Sequence, residues 1–305
     1  MQVKIPRRPI SGVLLLDKIT GVSSNSALQR VKRLYQAEKA GHTGSLDPLA
    51  SGLLPICLGE ATKFSQYLLD ADKVYEVTAK FGVRTDTFDA EGKVLAEQPA
   101  IADDAKLRAV VQSFLGEQQQ LPPMYSALKK DGKPLYELAR QGIEIERETR
   151  TITIFSLDIV SIEWPQVSFR VHCSKGTYIR TLIDDMGLAF GCGAYVTVLR
   201  RTAAGHFSSE QMLTSDAIEA LKNEQGLDAI DSLLLPIESL IPQFPIVTLK
   251  APMAHFLMNG QAVYLSSVKT EGLHALFRED GRFLGVGEAD GVGNIQPKRL
   301  VRLAD

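Results

Sequence analysis

The chain has 305 residues, 45% of them hydrophobic and 23% charged, with a formal net charge of −2. That composition excludes a disordered or collagen-like chain and fits one large domain with a small one, or two of middle size. The near-zero total speaks only weakly against a polyanion partner, because the placement of charge matters more than its sum.

The first ten residues carry Lys4, Arg7 and Arg8 with no acid before Asp17. "ISGVLLLDK" reads as a buried strand, and the run "VLLL" is too short for a signal-peptide core. Ser23, Ser24 or Asn25 then caps a helix that presents Ala27, Val31, Leu34 and Tyr35 on one face. "GHTGSLDPLASGLLP" is a Gly/Ser/Pro-punctuated turn with a single carboxylate, Asp47, and "LLPICLG" is a short buried strand. "EATKFSQYLLD" reads as helix. "KVYEVTAKFG" alternates, with Tyr75, Val77, Ala79 and Phe81 on one side, as a strand does. "TDTFDAEG" is a polar turn, and "DDAKLRAVVQSFLG" is a capped helix closed by Gly116.

The rhythm breaks over about 122–152, where "LPPMYSALKKDGKPLYELARQG" interleaves basic residues with tyrosines. "TITIFSLDIVSIEW", "QVSFRVHCSKG" and "AYVTVLRRT" follow as strands, and "TYIRTLIDDMGLAFG" as a helix. Strands and helices mix without regular βαβ alternation, which predicts an α+β fold with a mixed, largely antiparallel central sheet. Beyond a proline-rich shift, "APMAHFLMNG" is a helix, and "FREDGRFLGVGE" is a hairpin whose Asp280-Gly281 suits a tight primed turn. The division expected is 1–242 and a mainly β unit at 243–305, with Lys298, Arg299 and Arg302 near its end. Three distant cysteines and five scattered histidines indicate neither a disulfide framework nor a metal site. No stretch approaches a membrane span, so the expectation is a cytoplasmic protein with no membrane partner.

Taken alone, the chemical candidates have plain readings. Pro48 holds Asp47 extended, yet Asp is common in turns because it bonds its own backbone. Arg180, near a helix start, is of the type that keeps a carboxylate ionised and aimed, but also reads as a surface residue. Tyr75 reads as core, and "LRRTAAGHF" as a strand edge with solvated arginines.

Taken together, the pieces resemble the TruB family of tRNA pseudouridine synthases. "GHTGSLDPLASGLLPICLGEATKF" resembles its catalytic signature, and "DKVYEVTAKFGVRTDTFDAEG" follows at the expected distance. "PPMYSALKKDGKPLYELARQG" resembles its RNA-contacting insertion, and "CSKGTYIRTLIDDMG" and "LRRTAAGHF" its later motifs. These ordered motifs touch most of residues 11–207, and the C-terminal part is consistent with the family's PUA-like RNA-binding domain.

The resemblance implies a pseudouridine synthase fold and roles residue by residue. Asp47 matches the catalytic aspartate and Arg180 its arginine partner. His42 matches the histidine that enters the T-loop to displace the target base. Tyr75 matches the tyrosine that stacks on that base, with service as a general base also implied. Tyr178 and Leu199 match residues lining the uridine pocket. The implied activity isomerises the T-loop uridine of tRNA, uridine-55. It needs no cofactor, metal, DNA or guide RNA, and the implied enzyme is a monomer.

Chemistry agrees with that implication. Breaking N1–C1′, turning the ring and joining C5 to C1′ involves no net redox change or group transfer. A stacked base must first be flipped out, at a cost of a few kcal/mol. With a reference pKa of about 3.9, Asp47 is expected to be ionised, and an arginine would reinforce that. Attack on the ribose or ring, or removal of a sugar proton, all remain open to it. Lys129, Lys130, Lys133 and Arg140 are expected to grip the T arm. Three rival readings are a guide-dependent homologue, an RNA-binding or RNA-refolding protein, and a carboxylate hydrolase. The last would need a second acidic partner, which the Asp47 loop itself does not offer.

Overall fold

The computed structural model describes residues 7–130 and 132–302, so Lys4 lies outside the described residues. Its main body is a ten-stranded sheet. The main path uses β1 (Gly12–Lys18), β2 (Ser51–Leu58), β3 (Lys73–Phe81), β4 (Gly116–Gln120), β5 (Arg150–Glu163), β6 (Gln166–Cys173), β7 (Ala194–Ala204) and β8 (Leu213–Thr214). Their spatial order is β8-β1-β2-β7-β3-β6-β5-β4. Neighbours are antiparallel except at the β8–β1 and β2–β7 contacts, which are parallel. This is the mixed, largely antiparallel sheet that the irregular strand and helix pattern predicts.

Helices α1 (Ser24–Leu34), α2 (Asp104–Ser113) and α3 (Ile179–Phe190) cover one face. Ser23 caps α1 by accepting the Ser26 amide at 3.1 Å, and Ala27, Val31, Leu34 and Tyr35 are buried as their spacing requires. Asp103 caps α2 in the same way. That helix ends at Ser113, so Gly116 opens β4 instead of closing the helix. "EATKFSQYLLD" is not one helix but a 3₁₀ turn, Gly59–Lys63, and a short helical segment, Gln66–Leu69. Phe64, between the two, packs on Phe283 with ring centroids 5.5 Å apart, and such tertiary packing overrides local propensity.

The apolar runs at β1 and β2 have a structural cause. Leu14 and Leu16, with Leu54, Ile56 and Leu58, face the helices, whereas Val13, Leu15, Leu53 and Cys57 face a second apolar layer. That layer is completed by Ala275, Phe283 and Val286 of a five-stranded sheet farther along the chain. Strands covered on both sides read as continuous hydrophobic runs. The second sheet comprises β9 (Ile246–Leu249), β10 (Val263–Tyr264), β11 (Glu271–Arg278), β12 (Phe283–Asp290) and β13 (Asn294–Leu300), ordered β9-β11-β12-β13-β10. The β11–β12 hairpin forms where expected, with a different turn. Gly281 alone takes positive φ (+84°), and the pairing of Arg278 with Arg282 leaves a three-residue loop, not a primed two-residue one.

Strand β7 lies inside the sheet, which overturns the reading of Arg200 and Arg201 as solvated edge residues. Arg200 forks onto Asp17 at 2.8 and 3.1 Å. Arg201 is 1% exposed, and its Nε donates to the Leu53 carbonyl at 2.7 Å. Where β7 meets β2, Arg201 lies opposite Gly52, whose φ is +98°. A Cβ on Gly52 would sit 2.3 Å from the Arg201 carbonyl oxygen. Gly52→Ala should therefore destabilise the fold by about 3 kcal/mol or more, combining an unfavourable φ with overpacking. Urea unfolding reads this, and an unchanged midpoint would refute the close approach.

Candidate active site

The loop between α1 and β2 is pinned by side chains from outside it. Lys18 Nζ donates to the carbonyls of Ile19 (2.9 Å), Val22 (2.8 Å) and Pro48 (3.5 Å). Ser24 Oγ meets Leu46 twice, donating to its carbonyl at 2.9 Å and accepting from its amide at 2.7 Å. Arg201 reaches the Gly44 carbonyl at 3.4 Å, and the Gly21 amide donates to the Pro48 carbonyl at 2.8 Å. Burial lowers the Lys18 ammonium to about 8, the cost of placing a cation there. These ties hold Asp47, whose own carbonyl accepts from Ala50 at 3.1 Å in a local turn.

Arg180 is the second residue of α3 and only 4% exposed. Its Nε lies 2.8 Å from Asp47 Oδ2. One terminal nitrogen bonds Asp89 Oδ2 (3.2 Å) and the Thr87 carbonyl (3.1 Å), and the other donates to the Tyr125 carbonyl (2.8 Å). Asp89 is 2% exposed and also accepts from Thr87 Oγ1 (2.6 Å) and the Glu91 amide (3.0 Å). Between these residues Phe88 adopts φ +63°, rare for an aromatic residue, and both of its neighbours thereby bond the guanidinium. The turn "TDTFDAEG" thus carries a buried carboxylate that its polar composition hid.

Beside this pair opens a cleft of about 440 Å³, within the size range of small-ligand sites. Asp47, Tyr75, Tyr178, Arg180 and Leu199 all line it, together with Lys73, Arg150 and Arg201. Asp47 is the only carboxylate among the described residues that line it, and its side chain is 38% exposed. Tyr75 on β3 and Leu199 on β7 are delivered by strand alternation, since Leu199 lies opposite Val77. Tyr178 is the residue before α3, where the Gln120 side chain bonds its amide (2.8 Å) and carbonyl (3.0 Å). His42 ends the short strand Ala40–His42 paired to β2 and is not among the cleft-lining residues. Its Nδ1 is buried without a hydrogen-bond partner among the described residues.

The electrostatics differ from what an Arg–Asp pair alone suggests. Burial raises the Asp47 carboxyl above its ordinary value; Arg180 opposes this most strongly, Asp89 adds to it, and Lys18 opposes it weakly. Burial also raises the Tyr75 and Tyr178 hydroxyls and lowers Lys73 to about 8. It lowers His42 as well, with Arg201 adding to the effect. Four supporting residues, Lys18, Lys73, Asp89 and Arg201, were not singled out by the sequence pattern as parts of one site. For Lys18, Lys73 and Arg201 the signal was charge placed inside apolar or strand segments, whereas Asp89 sits in a polar turn that gives none. Among the described residues no cluster of three His, Cys, Asp or Glu side chains is placed to hold a metal ion. No helix there is long and apolar enough to cross a membrane.

Comparison with known proteins bears on this geometry. Residues 32–179 match the model of the TruB family pseudouridylate synthase N-terminal domain. Residues 180–242 match the tRNA pseudouridylate synthase B C-terminal domain, and residues 245–301 match the C-terminal region of pseudouridine synthase II TruB. The chain is 52% identical over 305 residues to the tRNA pseudouridine synthase B of Vibrio vulnificus strain YJ016, covering 98% of this chain and 97% of that one. It is 50% identical over 301 residues to that of Stutzerimonas stutzeri strain A1501, covering 99% of each. Among solved structures, one of an H/ACA RNP bound to a substrate RNA containing 2′-deoxyuridine superposes with a TM-score of 0.74 at 25% identity. That match covers 96% of this chain and 85% of the other. The match along nearly its whole length to these relatives places the chain in the TruB family of pseudouridylate synthases.

Proposed function

We propose that this chain is a stand-alone tRNA pseudouridine synthase that isomerises the T-loop uridine, uridine-55, with Asp47 as the catalytic carboxylate. The observation that carries the reading is a single carboxylate in a cation-lined cleft, ion-paired to Arg180. A flipped uridylate brings a planar base and flanking phosphates. Tyr75, Tyr178 and Leu199 supply surfaces against which a base can stack and pack, and the cleft's cations suit the phosphates.

In this reading Asp47, as the carboxylate, acts on the ribose or the ring, and Arg180 aims it. Arg180 cannot swing away without leaving Asp89 buried and unpaired, so the Asp47 carboxylate meets a fixed partner. Tyr75, its hydroxyl held neutral by burial, stacks on the base and hydrogen-bonds as a phenol. His42, outside the cleft lining, is assigned to displacing the base as the loop enters. The division at 242/243 assigns the second sheet to a PUA-like RNA-binding unit. Lys129, Lys130, Lys133 and Arg140 are all exposed on the insertion, and gripping the T arm is assigned to them. The enzyme is taken to be monomeric and cytoplasmic.

The likeness to an H/ACA RNP structure gives the guide-dependent reading its one support. A guide-free assay separates the two. Wild type incubated with unmodified tRNA should produce a carbodiimide-dependent reverse-transcription stop in the T-loop, and Asp47→Asn should produce none while binding tRNA normally. No stop from wild type without guide RNA would overturn the stand-alone assignment.

Two further outcomes follow. Because burial raises the Asp47 pKa, its ionised form is lost at a higher pH than for a solvated aspartate. The acid limb of kcat/KM should therefore lie above pH 3.8, rate falling as pH falls through it, and a profile flat down to that value would show that no essential carboxylate with a raised pKa is present. Replacing Lys129, Lys130, Lys133 and Arg140 together by alanine should weaken tRNA binding roughly tenfold or more and flatten its salt dependence. Wild-type affinity and salt dependence in that variant would remove the insertion from RNA contact.

A further inference from the structure

We infer that Arg150 is a phosphate-binding residue for the strand entering the active site, set at the start of β5, where the insertion expected over about 122–152 rejoins the main sheet. The inference rests on the RNA-modifying reading above and deepens it, by naming which of the cleft's cations meets a phosphate.

Arg150 is the first residue of β5, paired across the ladder with Gln120 of β4. Both residues act on Tyr178. Gln120 fixes its backbone by the two hydrogen bonds already described, and the Arg150 guanidinium lies over its ring, 5.5 Å from the centroid. Gly176 leaves room for that guanidinium, since a Cβ there would come within 3.2 Å of an Arg150 terminal nitrogen. A stacked guanidinium keeps its N–H edge free for a planar, bidentate partner.

Position and charge point to phosphate as that partner. A second groove, of about 510 Å³, is lined by Lys129, Lys130, Arg147 and Arg150, which outnumber its two carboxylates, Glu146 and Glu148. It and the catalytic cleft share two residues, Leu128 and Arg150. Each other cation lining the cleft has an internal partner. Lys73 donates to Leu69 and Ala71 carbonyls, Arg180 to Asp47 and Asp89, and Arg201 to Leu53 and Gly44 carbonyls. Arg150 makes no side-chain hydrogen bond or ion pair among the described residues. It is the cleft cation left for an external anion, and it sits where a backbone would pass from groove to cleft. Phosphate contacts fix register without reading sequence, so its task would be to place the flipped nucleotide over Tyr178.

The test is a cycle between protein and RNA chemistry, using a T-arm stem-loop with single methylphosphonates at the phosphates flanking the uridine. Arg150→Gln should bind the unmodified stem-loop roughly tenfold more weakly, as for one charged hydrogen-bonding contact. The slope of log affinity against log salt should fall by about 0.7–0.9. One flanking methylphosphonate should weaken wild-type binding by a similar factor and leave Arg150→Gln unaffected. Arg150→Lys should recover the salt slope but not the full affinity. Additive effects at every flanking phosphate, or an unchanged salt slope, would overturn the inference. Binding is read independently of turnover. Failure of wild type to form pseudouridine would therefore refute the functional reading, whereas additivity in an active wild type would refute this one alone.

Discussion

A guanidinium taken out of water must find a partner for every face, and Arg180 meets that demand with two carboxylates and two carbonyls. The rest of the site follows from this constraint. Asp89 and the Phe88 turn fix where the cation can be, and the cation fixes Asp47. Breaking the Asp89 contact strands a buried carboxylate, a defect of about 3–5 kcal/mol, whereas Asp47 opens onto the cleft. Desolvation pulls the other way and raises the Asp47 pKa, so the same burial that orients the carboxylate also makes it a stronger base.

The Asp47 loop is held by the same principle applied to different groups. Lys18, Ser24 and Arg201 are all buried, and each must find its hydrogen-bond partners among loop carbonyls and amides. None of them belongs to the turn. Gly52 allows β7 to approach closely enough for Arg201 to reach across, which is why a glycine stands at that point of an otherwise apolar strand.

Local patterning made much of this legible. Alternation in β3 placed Tyr75 on the inner face, and the Ser23 and Asp103 caps marked helix starts. Ordered motifs brought Asp47 and Arg180 together across more than 130 positions. What stayed hidden depended on neighbours in space. Arg201 looked solvated because nothing local shows that β7 is flanked on both sides. Asp89 looked like an ordinary turn residue because its partner lies 91 positions away. The broken helix after Gly59 depends on Phe283, and the β11–β12 turn depends on a bulge in the register.

The apolar layer behind β1 and β2 has a consequence for cooperativity. Phe283 and Val286 of the second sheet close the back of the two strands that carry Lys18 and Gly52, so the two sheets share one core there. Loosening the second sheet exposes the underside of the Asp47 loop's supports. Any ligand that binds only the docked second sheet therefore stabilises the loop by mass action, through a free-energy linkage that needs no change of shape.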